Sequence, residues 1–451
     1  MIRPASQSSS SRAVEQLSAA VTSLRSSLPP IRVSGTVALV TPTLYKVAGL
    51  SRHVRLGDLV EVDAQSRPAL GQVVRVDPEA VTIKLFDNDA SVMLGARVSL
   101  RGSMSFSPSP AWKGRAIDAL ARPIDGLGPL LPSQQSAPLD PRPPPALSRG
   151  LCKVPVRTGV RVVDLFAPMC RGQRMGVFAG SGVGKSTLIG MLAKSPGFDT
   201  NIIALVGERS REVREFIETI LGDALQHSVV VVSSGDESPM MRRQAPRTAM
   251  SIAECFRDRG EHVLLVVDSI TRFAHAVREV SLAAGEPPVA RGYTPSVLSD
   301  LPRLLERAGP GLEELGSITG LFSVLVDGDD HNDPISDAAR GILDGHIVLD
   351  RAIAARGQYP AVDILGSVSR LADRIWTAEQ RDIAKRFKGY VAEFEQSRDL
   401  RLLGGYKPGA STELDKAVRI VPLLYSFLTQ SQANADEDVF AALAGHMAAA
   451  A

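Results

Sequence analysis

The run AGSGVGKST, residues 179–187, combines three glycines, a lysine and several hydroxyls in an order that suits a chain of phosphates. Gly180, Gly182 and Gly184 lack a Cβ, so the backbone there can take positive φ and its N–H groups can converge closely on phosphate oxygens. Lys185 is then placed to reach the β- and γ-phosphates and the Ser186 hydroxyl to bind Mg2+, with Ser181, Val183 and Thr187 completing the cradle. The flanks agree: strand-like RMGVFA precedes the run and helical KSTLIGMLAK follows it. Ala179 stands where the usual pattern has its first glycine, a departure from the pattern that leaves the mechanism intact.

Phosphoryl transfer to water asks for carboxylates as well. In HVLLVVDSITRF an apolar strand ends on Asp268, which could hold the metal through water or simply cap the helix that follows. In ALVGERSREV a second strand ends on Glu208, which could orient an attacking water or be a surface charge. Ligands of open α/β sheets bind at the carboxyl ends of the strands. A Glu there would share the rim of the sheet with the phosphate loop.

The chain that must position these groups has 451 residues and a formal net charge of +2. That length predicts about three structural units, and the charge balance does not single out nucleic acid as a partner. Cys152, Cys170 and Cys255 show no CxxC spacing, which argues against a disulfide framework or a zinc site and for a reducing compartment. No stretch reaches the roughly 18 uninterrupted apolar residues of a spanning helix, and the reading is a cytosolic protein.

Along the chain, residues 1–30 read as a Ser-rich tail and an amphipathic helix carrying Val14, Leu17, Val21, Leu24 and Leu28, stopped by PP. That helix could dock a partner or fold back on the next unit. Residues 31–100 read as a small β-barrel of short alternating strands, and 101–150 as a connector with a proline-rich end. From 151 to 376, apolar β-branched runs alternate with helical segments, the pattern of an α/β domain with a mostly parallel sheet. Residues 377–451 read as helical throughout.

Taken in order, GQRMGVFAGSGVGKST, GERSREVREF, LLVVDSITRFAHAVREV, ARGYTPSVLSDLPRLLERAG, GSITGLFSVLVDGDDHNDPISDAARGILDGHIVLDR and YPAVDILGSVSRL resemble the catalytic subunits of rotary-type ATPases, from about residue 31 to 430. The resemblance implies a RecA-like P-loop core in which Glu208 polarises water, Arg209 contacts the γ-phosphate and Glu212 neighbours the metal through water. It also implies that Tyr359 lies against the adenine ring and that Arg370, in SVSR, is an arginine finger for the adjacent subunit. Spacing alone leaves Arg370 open to being a surface ion pair and Tyr359 a core aromatic.

Within that superfamily, non-catalytic synthase subunits carry Gln where this chain has Glu208, and catalytic ones carry an acidic DELSEED-like run that this C-terminal region lacks. LLGGYKPGASTELDKAV and SFLTQ instead resemble the export ATPases of bacterial type III systems, and FAGSGVGKS resembles the flagellum-specific branch. The expected function is therefore Mg-dependent ATP hydrolysis driving flagellar type III protein export, by chaperone release, unfolding or substrate entry. The virulence secretion ATPase, the synthase catalytic subunit and an RNA-dependent hexameric helicase rank behind it. The helicase ranks last because residues 31–100 hold only Tyr45 and Phe86 as stacking aromatics. The resemblance further implies a homohexameric ring and partners among a stator-like regulator, a central-stalk protein, the export gate, and export chaperones with their substrates. It implies no nucleic acid, and a cytoplasmic place at the inner face of the membrane export apparatus. Arg3, Arg12 and Arg25 against Glu15 would add weak anionic-lipid contact.

Overall fold

The computed structural model describes residues 33–449 apart from 66, 143, 313–314, 327–332 and 410. The amphipathic helix expected within residues 1–30, with Arg3, Arg12, Glu15 and Arg25, lies outside the described residues.

The alternating runs of the first region close on themselves. Six strands, β1 (Ser34–Val40), β2 (Tyr45–Ala48), β3 (Leu59–Val62), β4 (Ala69–Val76), β5 (Ala80–Leu85) and β6 (Arg97–Gly102), form a barrel in the order β1-β2-β5-β4-β3-β6. Closure leaves no free sheet edge. The inward positions are mostly β-branched, with Val37, Val47, Val60, Val62, Val81, Ile83 and Val98 all buried, because such side chains suit a pleated, half-buried surface.

The large sheet is built from β7 (Arg115–Asp118), β8 (Arg174–Ala179), β9 (Thr200–Glu208), β10 (Ser228–Ser234), β11 (His262–Asp268), β12 (Ser317–Leu325), β13 (Gly345–Leu349) and β14 (Val362–Ser369). Their spatial order is β14-β13-β8-β12-β11-β9-β10-β7, with the two-residue strand Gly309–Pro310 added antiparallel beside β12. Every neighbouring pair along that order is parallel except β13 and β14. The central strands read as continuous apolar runs because both faces are covered. In β9, Ile202, Ala204 and Val206 join one core with α2 (Pro239–Arg257) and α3 (Ile270–Ala283). Ile203 and Leu205 of the same strand face the other core, with the P-loop helix α1 (Lys185–Ala193) and the C-terminal helices.

Residues 101–150, expected as a connector, do more than connect. Arg115–Asp118 supply β7, the edge strand beside β10, and Trp112 is buried with its Nε1–H donating to the Leu131 carbonyl at 2.8 Å. A strand of four residues is too short to show a period, and its proline-rich surroundings hide it further. After Trp376 the described elements are helices, chiefly α4 (Ala378–Gln396), α5 (Thr412–Leu428) and α6 (Val439–Ala449). Thr377 and Gln380 start α4 with a reciprocal capping box. Among the described residues no helix is long and apolar enough to cross a membrane.

Candidate active site

The glycine-rich loop leaves the C-terminal end of β8 and enters a helix that begins at Lys185 and ends at Ala193. Gly182 and Gly184 take φ of 76° and 90°, the left-handed region that glycine enters without a Cβ penalty. Gly184 is the residue from which the helix starts, so the loop and the open N–H groups of the first turn form a cradle for anions. Ala179 and Val183 are buried, which anchors the loop at both ends. Ser186 is half-buried in the first helical turn, while Ser181 and Thr187 are exposed.

Three charged side chains meet at this rim. The Lys185 ammonium donates to Asp268 Oδ1 and lies 3.7 Å from Glu208 Oε1. Asp268 ends β11 and is 3 % exposed. Ser323 on β12 also donates to its Oδ1, at 2.6 Å. One ammonium thus faces two carboxylates, and the carboxylate at the end of β9 is the less satisfied of the two. Burial pushes the Glu208 carboxyl above the usual carboxylate range and the Asp268 charge pushes the same way, against the pull of Lys185. A base whose protonation lies nearer neutrality is better matched to accepting or orienting a proton.

Tyr359 borders the same loop. Two carbons of its ring lie 3.4 Å from where a Cβ on Gly184 would stand, and the residue is 43 % exposed. Its ring therefore offers an open face beside the phosphate cradle. Arg209 and Glu212 pair with each other at 3.1 Å on the exposed turn just after Glu208, with the Arg209 side chain 73 % exposed.

Arg370 does not join this cluster. It follows β14, which runs antiparallel to β13, and Ser369 pairs with Gly345, which in turn pairs with Met175 near the start of β8. The P-loop leaves the other end of β8. At about 3.3 Å per strand residue the two ends are roughly 16 Å apart, beyond the reach of one arginine. The Arg370 backbone N–H is held by the Asp344 carbonyl at 2.8 Å, and its exposed guanidinium donates to the Arg340 carbonyl at 3.0 Å.

Two arginines at the rim were not singled out from the sequence. Arg272, one turn into α3, crosses Gly207 so closely that a Cβ there would sit 2.5 Å from its Cδ, and its charge favours the ionised form of Glu208. Arg351, just after β13, has Nη2 3.3 Å from the position of a Cβ on Gly180. Arg272 had a signal, because it stands in the first turn of the helix that follows the strand-ending Asp268 and so stays close to that rim. Arg351 had none; only the sheet order brings β13 beside β8.

A parallel sheet whose central strand feeds a glycine-rich loop, with a lysine and two carboxylates on one rim, defines the P-loop nucleotide hydrolases as the class. Residues 159–369 match the model of the ATP synthase alpha/beta family, nucleotide-binding domain, and residues 376–443 match that of the T3SS EscN ATPase C-terminal domain. The flagellum-specific ATP synthase of Rhizobium meliloti (strain 1021) is 53 % identical over 422 residues, covering 93 % of this chain and 90 % of the relative. The type 3 secretion system ATPase of Xanthomonas euvesicatoria is 43 % identical over 400 residues, covering 88 % and 89 %. Among solved structures, the assembled ATPase EscN from the enteropathogenic E. coli type III secretion system superposes with a TM-score of 0.84 at 36 % identity, covering 92 % of this chain and 100 % of that one. The chain belongs to the flagellar and type III secretion ATPases of the ATP synthase alpha/beta superfamily.

Proposed function

We propose that the chain hydrolyses ATP in a homohexameric ring at the flagellar export apparatus, with each catalytic site completed by Arg370 of the neighbouring subunit. The observation that carries this reading is the separation of two charged groups along one sheet. Lys185, Glu208 and Asp268 gather at the carboxyl ends of the strands, while Arg370 lies at the opposite end of the sheet, exposed. A finger that cannot reach its own loop is suited to another subunit's loop. The EscN structures, one of an assembled ATPase and one of EscN with its central stalk EscO, support a ring and a stalk partner for this chain as well.

In this reading the loop N–H groups and Lys185 hold the β- and γ-phosphates, and Tyr359 lies against the adenine. Glu208 orients the attacking water, and Arg209 turns from Glu212 toward the γ-phosphate. The hydroxyl of Ser186 and the carboxylate of Asp268 are hard oxygen donors on one rim, with Glu212 nearby through water. Among the described residues no group of three or more His, Cys, Asp or Glu could hold a metal by itself. Such a sparse oxygen set fits Mg2+, which is commonly held by one or two protein oxygens together with phosphates and water. Bound Mg2+ would neutralise charge on the phosphoryl oxygens during transfer.

The flagellar assignment is supported by relatives named flagellum-specific at up to 53 % identity, against 43 % for the secretion ATPase of X. euvesicatoria. Energy from hydrolysis would then serve chaperone release, unfolding or entry of export substrates, at the cytoplasmic face of the membrane, with a stator-like regulator and the export gate as partners. Deleting the chain from its source bacterium and restoring it tests this. Export of filament subunits should return with the wild-type chain and not with Glu208→Gln. Normal filament assembly in the deletion strain would overturn the flagellar assignment.

A further inference from the structure

The phosphate loop has two flanks, and they differ in charge. In the sheet, β8 lies between β12 and β13. Past β12 stand Asp268 at the end of β11 and Glu208 at the end of β9, and both face the Lys185 ammonium. The β13 flank carries Arg351 instead. Ala179, where the loop leaves β8, pairs with Leu349, the last residue of β13, so the chain that follows β13 runs directly beside the loop.

Both sides of this contact are anchored. The Asp350 side chain caps the short helix Arg351–Ala355, accepting from the Ile353 N–H at 2.9 Å, and the Asp350 N–H donates to the Ala361 carbonyl at 2.9 Å. On the loop's side, the Val326 N–H donates to the Ala179 carbonyl at 3.1 Å. Between these fixed points Arg351 Nη2 comes so close to Gly180 that a Cβ there, 3.3 Å away, would crowd it. The Arg351 side chain is exposed, and its guanidinium has no hydrogen-bond or ion-pair partner among the described residues. Other cations near the loop are engaged. Arg209 pairs with Glu212, while Lys185 and Arg272 stand against Glu208 and Asp268, a set close to neutral. The uncompensated positive charge at the loop is therefore that of Arg351, and such a charge attracts an anion.

We infer that Arg351 binds the terminal phosphate of ATP within its own subunit and so makes the loop prefer ATP to ADP. The inference rests on the proposed place of ATP, with the base beside Gly184 and the phosphates running along the loop toward Gly180. A guanidinium suits the task because its planar fork donates two N–H groups to phosphate oxygens at once. Arg351 then meets in cis, from β13, the same phosphate that Arg370 meets in trans.

The test uses the full chain, assembled, with Mg2+, and reads equilibrium Kd for ADP and for the hydrolysis-resistant ATP analogue whose β–γ bridge is an imido group. Arg351→Gln should raise Kd for the analogue by about 10-fold or more and leave Kd for ADP within about 2-fold, the size expected for one lost charge-assisted hydrogen bond. Arg351→Lys should fall between wild type and Arg351→Gln, because the charge remains while the fork is lost. Lys185→Ala, the control for the loop, should weaken both ligands. Equal losses of ADP and analogue in Arg351→Gln would overturn the inference, as would a Lys variant no better than Gln. Unlosable affinity in Arg351→Gln beside weakened binding in Lys185→Ala would overturn the inference alone. Full binding of both ligands by Lys185→Ala would overturn the place of ATP in the loop and the inference with it. Thermal unfolding without nucleotide should be the same for wild type and the Arg351 variants; a Tm that falls together with analogue affinity would show Arg351 to be a support of the loop and overturn the inference.

Discussion

The two ends of the large sheet are built to opposite rules. At the carboxyl ends of β8, β9 and β11, Lys185, Glu208 and Asp268 are mostly buried and face one another, with side-chain exposures of 11 %, 18 % and 4 %. At the other end, Arg370 is exposed and its guanidinium is held by a backbone carbonyl of Arg340. A group that serves its own subunit is best fixed by its own fold. One that serves a neighbour must be presented and left free to leave a weak partner. If Arg370 serves a neighbour as proposed, a monomer holds two incomplete halves of different sites, and catalysis should depend on assembly.

The most severe test of this comparison exchanges the halves. Arg370→Ala should bind ATP nearly normally and lose turnover by 10³-fold or more, the order typical of arginine fingers supplied in trans. Lys185→Ala should be equally inactive through its own loop. Rings mixed from the two proteins contain interfaces with an intact loop and an intact finger, so part of the activity should return. The reading is hydrolysis rate against mixing ratio, with subunit exchange verified separately. Proven mixed rings at background activity would sink the trans assignment and merge the two ends into one rule.

Glu208→Gln sharpens the other half of the comparison. The amide keeps shape and hydrogen bonds but cannot act on water as a carboxylate does, so turnover should fall by about 10²- to 10⁴-fold with ATP binding preserved. Equilibrium binding and steady-state hydrolysis measured on the same preparation would separate the two. Near-normal hydrolysis would remove Glu208 from its role. Replacing Glu212 by Gln should have a smaller effect, because its carboxylate is only half-buried and is paired at 3.1 Å with the exposed Arg209 side chain, and partly solvated pairs contribute little. A loss as large as that of Glu208→Gln would move Glu212 into the buried cluster's class.

How much of this was legible in the sequence follows the same division. The P-loop could be read because its chemistry is contiguous, and Glu208 and Asp268 because each ends an apolar strand. The barrel and the parallel sheet could be read from their periods. Arg370 could be singled out only through family resemblance, since nothing around SVSR tells which end of the sheet a strand will finish on; the antiparallel turn of β14 decides that. Arg351 and Gln430 could not be read at all. Each lies against a residue distant in sequence, Gly180 in one case and Arg161 in the other, and only strand order and helix packing bring them there. The edge strand β7 was hidden by its own brevity.

The smallest expected effect concerns stability and turns on the sign of the Glu208 shift. Burial and the neighbouring Asp268 raise its pKa in the folded protein above the ordinary carboxylate value, so folding favours the protonated form. Below the ordinary value both folded and unfolded chains carry the proton, and the group costs nothing. As pH rises through the folded value, the folded protein must hold a charge that the unfolded chain holds more easily, and stability falls. Glu208→Gln carries no such charge. In the absence of nucleotide it should therefore be slightly more stable than wild type at neutral pH, with the difference closing as pH drops below the ordinary carboxylate range. Thermal unfolding of both proteins across that range measures it, and the titrating groups remote from this cluster cancel in the comparison. A variant that is less stable at neutral pH would mean that Lys185 more than offsets burial and that Glu208 is held as firmly as Asp268. A rim that gives up a little stability to keep an under-satisfied carboxylate beside the phosphates is a catalytic arrangement; a rim in which every charge is fully paired would be a structural one.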